Sequence, residues 1–74
     1  MWIWEINPRT FGDDLREMRL DKQWTQKELA SRMMNYGVAS VINWESGKTH
    51  PNMTALLELA RIFKIDEIRI EIKR

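Results

Sequence analysis

The sequence contains no cysteine and a single histidine, and both shortages restrict its chemistry. Without cysteine the chain forms neither disulfides nor a cysteine-ligated zinc site, and one histidine is too few for a multi-histidine metal centre. Only three glycines are present, and they build no glycine-rich phosphate loop. No nucleophile with a base and no convergent carboxylate pair is visible either. We therefore predict that the protein is not an enzyme and needs no cofactor, metal or small-molecule ligand.

An excess of charge of either sign is also missing. The chain carries 12 Lys and Arg against 11 Asp and Glu, so its formal net charge is +1. This balance excludes a histone-like polycation and an acidic mimic of nucleic acid. It does not exclude a nucleic-acid-binding protein, because a local basic face can lie on a chain of nearly neutral total charge.

Long apolar segments are absent as well. No segment approaches the ~20 apolar residues that span a bilayer. The start of the chain has an acid, Glu5, and no basic region of the kind that opens a signal peptide. We therefore expect a cytoplasmic protein with no membrane partner, associated with the nucleoid of a bacterial host. With 74 residues, the chain is expected to form one domain, 1–74, without a separate ligand-sensing unit.

Short segments at the two ends of the chain have the alternation that is typical of β-strands. Residues 2–6 and 67–73 each place apolar side chains at every second position, which predicts one buried and one solvated face. A lone strand leaves its backbone donors and acceptors unsatisfied, so we expect the two strands to pair antiparallel within the chain. The free edge of such a sheet favours a homodimer, with candidate interface residues Trp2, Trp4, Ile68, Ile70 and Ile72. In the alternative interpretation, the strands only cover the core of a monomer.

The stretch between the strands, residues 11–65, has helical spacing throughout, so the predicted fold class is mainly α with four to five helices. The helices are predicted at about 11–21, from Gln26 to the turn at 35–37, at about 38–46 and at about 53–63. The side chains expected to be buried are Phe11, Leu15 and Met18; Leu29, Ala30 and Met33; Val41 and Trp44, with Val38 as a further candidate; and Met53, Leu56, Leu57, Ala60 and Phe63.

Capping residues set these boundaries. Thr25 and Glu28 have the spacing of a full capping box, and Thr10 with Asp13 resembles one. Gly47 is placed to end the third helix in the left-handed conformation. The helix boundaries therefore follow from local chemistry as well as from apolar spacing.

Four segments carry a recognisable order of residues. They are 11–19 (FGDDLREMR), 25–30 (TQKELA), 41–48 (VINWESGK), and Pro51 with 56–63 (LLELARIF). Small Ala30 in the second helix would let the third helix cross it closely, as a helix-turn-helix requires. In this order and at this spacing, the chain resembles the Xre/Cro-repressor type of helix-turn-helix domain, the lambda-repressor-like family. The resemblance covers about 11–65.

The segment between the second and third helices is one residue longer than is usual for this family. Without an insertion, Ser40 and Asn43 would fall on buried positions, and burying each unpaired polar group costs on the order of 1–3 kcal/mol. We therefore place the extra residue in the turn, among residues 34–37. In that register Val41 and Trp44 pack inward.

The resemblance implies roles for individual residues. It pairs Arg19, late in the first helix, with Glu45 at the end of the third, as a buried structural ion pair. It also places the third helix, 38–46, in the major groove of DNA. The residues implied in DNA binding are Gln26, Lys27, Val38, Ala39, Ser40, Asn43, Lys48 and Thr49. Within the third helix, Asn43 can make a bidentate pair with adenine, whereas the apolar residues only pack on thymine methyl groups.

These observations favour a sequence-specific regulator of transcription that binds double-stranded DNA. We expect a small phage, plasmid or bacterial repressor whose operator, if the protein is a dimer, is an inverted repeat. The alternative is a protein-binding module, antitoxin-like or anti-repressor-like, in which the Trp and Ile strands form the interface. The observation that favours this alternative is the poor hydrogen-bonding capacity of Val38 and Ala39.

Overall fold

The computed structural model describes residues 2–70, which contain four helices and two short strands. In chain order these are β1 (Ile3–Ile6), α1 (Phe11–Asp21), α2 (Gln26–Ser31), α3 (Val38–Ser46), α4 (Met53–Ile62) and β2 (Glu67–Ile70). The mainly helical fold class is confirmed, and α1 and α3 have the predicted bounds. The end of the second predicted strand, including Ile72, lies outside the described residues. None of the helices within residues 2–70 is long and apolar enough to cross a membrane.

The starts of α1 and α2 show one correct and one wrong cap prediction. The Thr25 side chain accepts from the Glu28 backbone N–H, and the Glu28 carboxylate accepts from the Thr25 backbone N–H, both at 3.0 Å. The predicted capping box is therefore confirmed. The box predicted at Thr10 and Asp13 is wrong, because Thr10 has helical rather than extended backbone angles. Its hydroxyl donates instead to the Asp14 carboxylate at 2.9 Å.

The core lies between the helices and the inner side of β1. Its buried members are Trp4, Ile6, Phe11, Leu15, Leu29, Ala30, Met33, Val41, Trp44, Ala55, Leu56, Leu59 and Phe63. The set of buried side chains predicted for α4 is wrong in part, since Met53 and Leu57 are 53% and 58% exposed while Leu59 is fully buried. Apolar residues occupy most of the circumference of α4, so helical spacing alone does not decide which side packs inward.

The register of α3 agrees with an extra residue in the turn at 34–37. Val41 and Trp44 are buried, as the inserted register requires, and Gly47 ends the helix with φ of 79°. Val38, the further candidate for the core, is exposed instead. It begins the helix at the end of the turn, where its side chain projects away from the buried stripe.

β1 and β2 pair with each other, but they run parallel, so the predicted antiparallel pairing is wrong. Trp4 lies beside Ile68 in the register. The strands begin side by side because the Trp2 carbonyl accepts from the Asp66 backbone N–H at 2.9 Å, while the Asp66 carboxylate accepts from the Trp2 backbone N–H at 2.8 Å. The helices between the strands form the long crossover that parallel pairing needs. Alternation of apolar residues is the same for both directions and therefore could not distinguish them.

β1 packs its apolar side chains onto the helices. Trp4 is 6% exposed and stacks on Phe11 with ring centroids 5.3 Å apart. It therefore offers almost no surface to a second subunit, contrary to the expectation that it lies in an interface. Trp2 and Ile70 are exposed, whereas Ile68 is half-buried against the core.

α1 and α3 approach each other closely at Gly12. A Cβ atom at this position would lie 2.5 Å from the Glu45 carbonyl oxygen and 2.7 Å from that of Trp44. Those are backbone atoms that cannot move aside cheaply, so only glycine allows this approach. Gly12 thereby fixes the last turn of α3 against the start of α1.

Candidate nucleic-acid interface

The two sides of α3 differ sharply in burial. On the inward face, Val41 and Trp44 are 0% and 4% exposed, and Tyr36 packs on Trp44 with ring centroids 5.3 Å apart. On the opposite side, Val38 and Ile42 are 41% and 44% exposed. We call the solvent-exposed side the outward face of α3; by helical geometry it consists of Val38, Ala39, Ile42, Asn43 and Ser46.

A buried ion pair holds the end of α3. Arg19 Nε donates to Glu45 Oε2 at 2.7 Å and Arg19 Nη2 donates to Glu45 Oε1 at 3.0 Å, in the bidentate arrangement. The two side chains are 9% and 5% exposed. Arg19 Nη1 also donates to the Trp24 carbonyl at 2.7 Å, and Gln26 Nε2 donates to Glu45 Oε1 at 3.2 Å. The pair and its neighbours therefore tie α1, the start of α2 and the end of α3 together.

This pair also neutralises the one acidic residue of α3. The hydrogen bond to Glu45 raises the pKa of the Arg19 guanidinium above its ordinary value, so the arginine is charged at every relevant pH. The Glu45 carboxylate is engaged by donors from both Arg19 and Gln26. A polyanion that approaches the outward face therefore meets no unpaired acid on this helix.

The predicted DNA contacts on α3 lie in different environments. Val38 and Ala39 are exposed, Asn43 is half-buried at the edge of the outward face, and Ser40 is half-buried beside the core. Ile42 was not predicted, yet it is the more exposed of the two large apolar side chains on the outward face. Helical spacing is the signal that could have found it, since Ile42 lies four residues after Val38 and three after Ala39.

A depression of about 340 Å³ lies beside the outward face, where α1, α2 and α3 meet. It is lined by Arg16, Arg19, Gln26, Ile42, Glu45 and Ser46. Arg16 is exposed and was not among the predicted contacts, although it lies only one turn before Arg19 on α1. Lys27, next to Gln26 in the first turn of α2, is also exposed. The structure thus brings Gln26 and the exposed cation Arg16 to the same edge of the outward face.

The loop after α3 folds back onto the helix. The backbone N–H groups of Lys48 and Thr49 donate to the Asn43 carbonyl at 3.0 and 3.3 Å, so they are occupied. The exposed Lys48 ammonium and Thr49 hydroxyl remain as side-chain donors that the loop can offer. Thr49 lines a second, smaller depression of about 110 Å³ together with Arg9 and His50, separate from the one at Gln26.

Glu58 of α4 holds the turn that precedes α3. Its carboxylate accepts from the Met34 backbone N–H at 2.7 Å and from Asn35 Nδ2 at 2.6 Å, although the residue is only 8% exposed. The hydrogen bond from Asn35, with those from the backbone, lowers the pKa of Glu58 below its ordinary value. Because this turn determines where α3 begins, Glu58 positions the outward face. No local motif in the sequence marks this role.

Acidic side chains gather on another side of α1. Asp14, Glu17 and Asp21 line a groove whose apolar wall includes Trp2. Arg16 follows Asp14 by two residues, so it projects about 200° around the helix from this acidic side. α1 thus separates the acidic groove from the depression that carries Arg16, and the near-neutral total charge of the chain is unevenly distributed.

Comparison with known proteins identifies the family. The helix-turn-helix family model matches residues 15–70, which is more than half of the chain. The chain belongs to the helix-turn-helix family. The resemblance drawn from the sequence segments is therefore confirmed. A relative, the HTH-type transcriptional activator BcrR of Enterococcus faecalis, is 37% identical over 60 residues, which cover 78% of this chain.

The match to this relative covers a limited part of it. The chain spans 29% of the length of the curated relative that it matches. No solved structure matches the chain.

Proposed function

We propose that this helix-turn-helix protein is a sequence-specific regulator of transcription, without enzymatic activity, that reads the major groove of double-stranded DNA with α3. The observation that carries the proposal is the contrast between the locked inward side of α3 and its exposed outward face. A helix that enters a groove must be rigidly placed and must leave one side free for the bases. The printed name of the relative, a transcriptional activator, supports a role in regulation.

The proposed contacts divide into base and phosphate contacts. The base contacts come from Val38, Ala39, Ser40 and Asn43. Among these, Asn43 can pair bidentately with adenine. The phosphate contacts come from Gln26, Lys27, Lys48 and Thr49, with Arg16 added from the structure. Phosphate contacts fix the register of the protein on the duplex, and base contacts supply specificity.

Selection of a binding site from random duplexes, followed by a salt titration, tests this proposal. The logarithm of the binding constant should fall linearly with the logarithm of the salt concentration, because each neutralised phosphate releases counterions. Lys27→Ala and Lys48→Ala should each reduce the salt slope by about one. Lys64→Ala, an exposed lysine just after α4, is the matched control and should leave the slope unchanged. Failure to bind any duplex at ~50 mM salt would contradict the proposal.

The sign of regulation is a separate part of the proposal. The sequence favours a repressor of phage, plasmid or bacterial origin, whereas the relative is named an activator. A reporter gene whose promoter carries the selected site measures the sign directly, as lower or higher expression in the presence of the protein. The DNA-binding role also leads us to propose association with the nucleoid.

We further propose that two copies of the chain form a homodimer through β2 and the adjoining groove. Met53, Leu57 and Ile70 are 53%, 58% and 43% exposed and line a groove of about 390 Å³ between α4 and β2. Within residues 2–70 the outer edge of β2 has no partner strand, since the sheet there consists of β1 and β2. Exposed apolar area next to a free strand edge is a common interface between subunits.

The charges on β2 favour pairing with a second copy. Glu67 and Arg69 form an exposed ion pair within the chain. In an antiparallel pair with its two-fold axis at Ile68, the same two residues would also lie opposite each other across the copies, twice in the interface. Opposite charges directly across two strands are stabilising. If such a dimer presents both α3 helices to one side of the duplex, its operator would be an inverted repeat with half-sites about 34 Å apart.

Sedimentation at tens of micromolar protein tests the dimer. Leu57→Glu places a charge in the groove and should give a monomer. Leu20→Glu makes the same change at a leucine on α1 that is 53% exposed, and it should leave the dimer intact. A wild-type protein that is already monomeric would contradict the proposal.

The second candidate function is a protein-binding module. The exposed apolar side chains of α3, together with exposed Trp2 and Ile70 at the strands, favour it. Two results together would distinguish this function. No duplex would be selected from random DNA, and a protein partner would bind the wild type but not the Leu57→Glu or Ile42→Glu protein.

A further inference from the structure

The outward face of α3 offers few groups that read bases by hydrogen bonding. The helix sequence, VASVINWES, contains no lysine, arginine or glutamine. Glu45 is held by Arg19 and Gln26, and the Ser46 hydroxyl donates to the Asn43 backbone carbonyl at 3.1 Å. The side-chain amide of Asn43 is therefore the main polar group that this face can turn towards a base.

Branched apolar side chains supply the exposed area instead. Ile42 and Val38 are 44% and 41% exposed and lie one helical turn apart, with exposed Ala39 beside them. Arg16 and Gln26 border the same surface at the depression lined by Ile42. A contiguous apolar surface with a polar and basic border is typical of a place that a partner covers.

In the major groove, the apolar group on the base edges is the C5-methyl of thymine. We infer that Ile42 and Val38 read thymine methyl groups, and that Ile42 is the principal specificity-determining residue of α3. This inference rests on the proposed function. The half-site then has thymines opposite these two side chains and an adenine opposite Asn43. Loss of one methyl contact should weaken binding about fourfold, the value expected from burial of a single CH₂-sized group.

Replacement of thymine by deoxyuridine tests the inference, because it removes the methyl group and leaves base pairing unchanged. Each thymine of a selected duplex is replaced singly, and Kd is measured by fluorescence anisotropy at fixed salt. In the wild type, replacement at one or two positions should weaken binding about fourfold. In an Ile42→Ala protein, replacement at the position that Ile42 reads should have no further effect, since the two changes remove the same contact.

Lys48→Ala is the matched control, because loss of a phosphate contact should weaken binding to all duplexes equally and leave sensitivity to deoxyuridine intact. Deoxyuridine duplexes that bind as well as thymine duplexes would overturn the inference while leaving DNA binding established. Equal sensitivity in the wild-type and Ile42→Ala proteins would overturn the assignment to Ile42. If no duplex can be selected at all, the proposed function fails first. Thermal melting of the Ile42→Ala protein, expected at the wild-type temperature, separates loss of contact from loss of fold.

Discussion

The inward and outward faces of α3 belong to the same nine-residue helix and are built in opposite ways. The inward face is packed, ion-paired and hydrogen-bonded, with Val41, Trp44 and Glu45 held by three other parts of the chain. The outward face has exposed apolar side chains without comparable contacts. If α3 binds DNA as we propose, stability and recognition depend on different residues of one element, and substitutions should separate them.

The largest effect is expected when the ion pair is broken. Glu45→Ala leaves the Arg19 guanidinium buried without its carboxylate, and loss of one partner of a buried pair typically costs about 3–5 kcal/mol. Urea denaturation measures the change in free energy of unfolding. Glu17→Ala, an exposed acid on α1, is the control and should change little. A Glu45→Ala protein with an unchanged Tm would contradict a stabilising role for the ion pair between Arg19 and Glu45.

The next largest effect is expected at Gly12. Gly12→Ala would force a Cβ atom against backbone carbonyls of α3, and overpacking of this kind costs about 1–3 kcal/mol. Gly37→Ala is the comparison variant, because a Cβ atom there meets nothing within 4 Å and its φ is −106°, so only the smaller cost of losing the N-cap glycine of α3 is expected. Equal melting temperatures for the two variants would contradict the close approach of α1 and α3.

A pair of neighbouring residues compares the two faces directly. Val41→Ala should lower the free energy of unfolding by about 2 kcal/mol, because it removes buried methyl groups and leaves a cavity. Ile42→Ala, one position along the chain, should change it by less than about 0.5 kcal/mol, since surface substitutions usually do. A similar loss of stability in both proteins would show that the outward face is not separate from the core.

The smallest effect is expected from the pH dependence that Glu58 contributes. Hydrogen bonds from Asn35 and Met34 lower its folded-state pKa, so its stabilising contribution is present above the ordinary glutamate pKa. That contribution is lost as pH falls through the lowered value. The Tm of the wild type should therefore fall as the pH is lowered, and the Tm of the Glu58→Gln protein should fall less over the same pH range. Identical slopes would contradict the role of Glu58 in the turn.

Much of the helical part could be predicted because it depends on local chemistry. The capping box at Thr25 and Glu28 and the stop at Gly47 need only neighbouring residues. The position of the extra residue followed from the cost of burying Ser40 and Asn43. These are physical preferences that act over a few residues, so a single sequence contains them.

The remaining features depend on contacts between distant residues. The sequence alternation that predicts a strand is the same for parallel and antiparallel pairing, whereas the contacts of Asp66 with Trp2 that join the starts of the two strands link residues far apart in the chain. The buried side of α4 and the clamp by Glu58 likewise depend on what packs against that helix. Ile42 is a different case, because the spacing that reveals its exposure was already present in the sequence.

The most direct test of the central claim is the affinity of an Ala39→Glu protein for a selected duplex. Ala39 is exposed on the outward face, so the substitution should leave Tm unchanged while placing an acid against the DNA. Thr54→Glu makes the same change in charge at an exposed position on α4 and serves as the control. We predict that Ala39→Glu abolishes binding while Thr54→Glu retains it. An Ala39→Glu protein that binds the duplex as tightly as the wild type would contradict recognition through the outward face of α3.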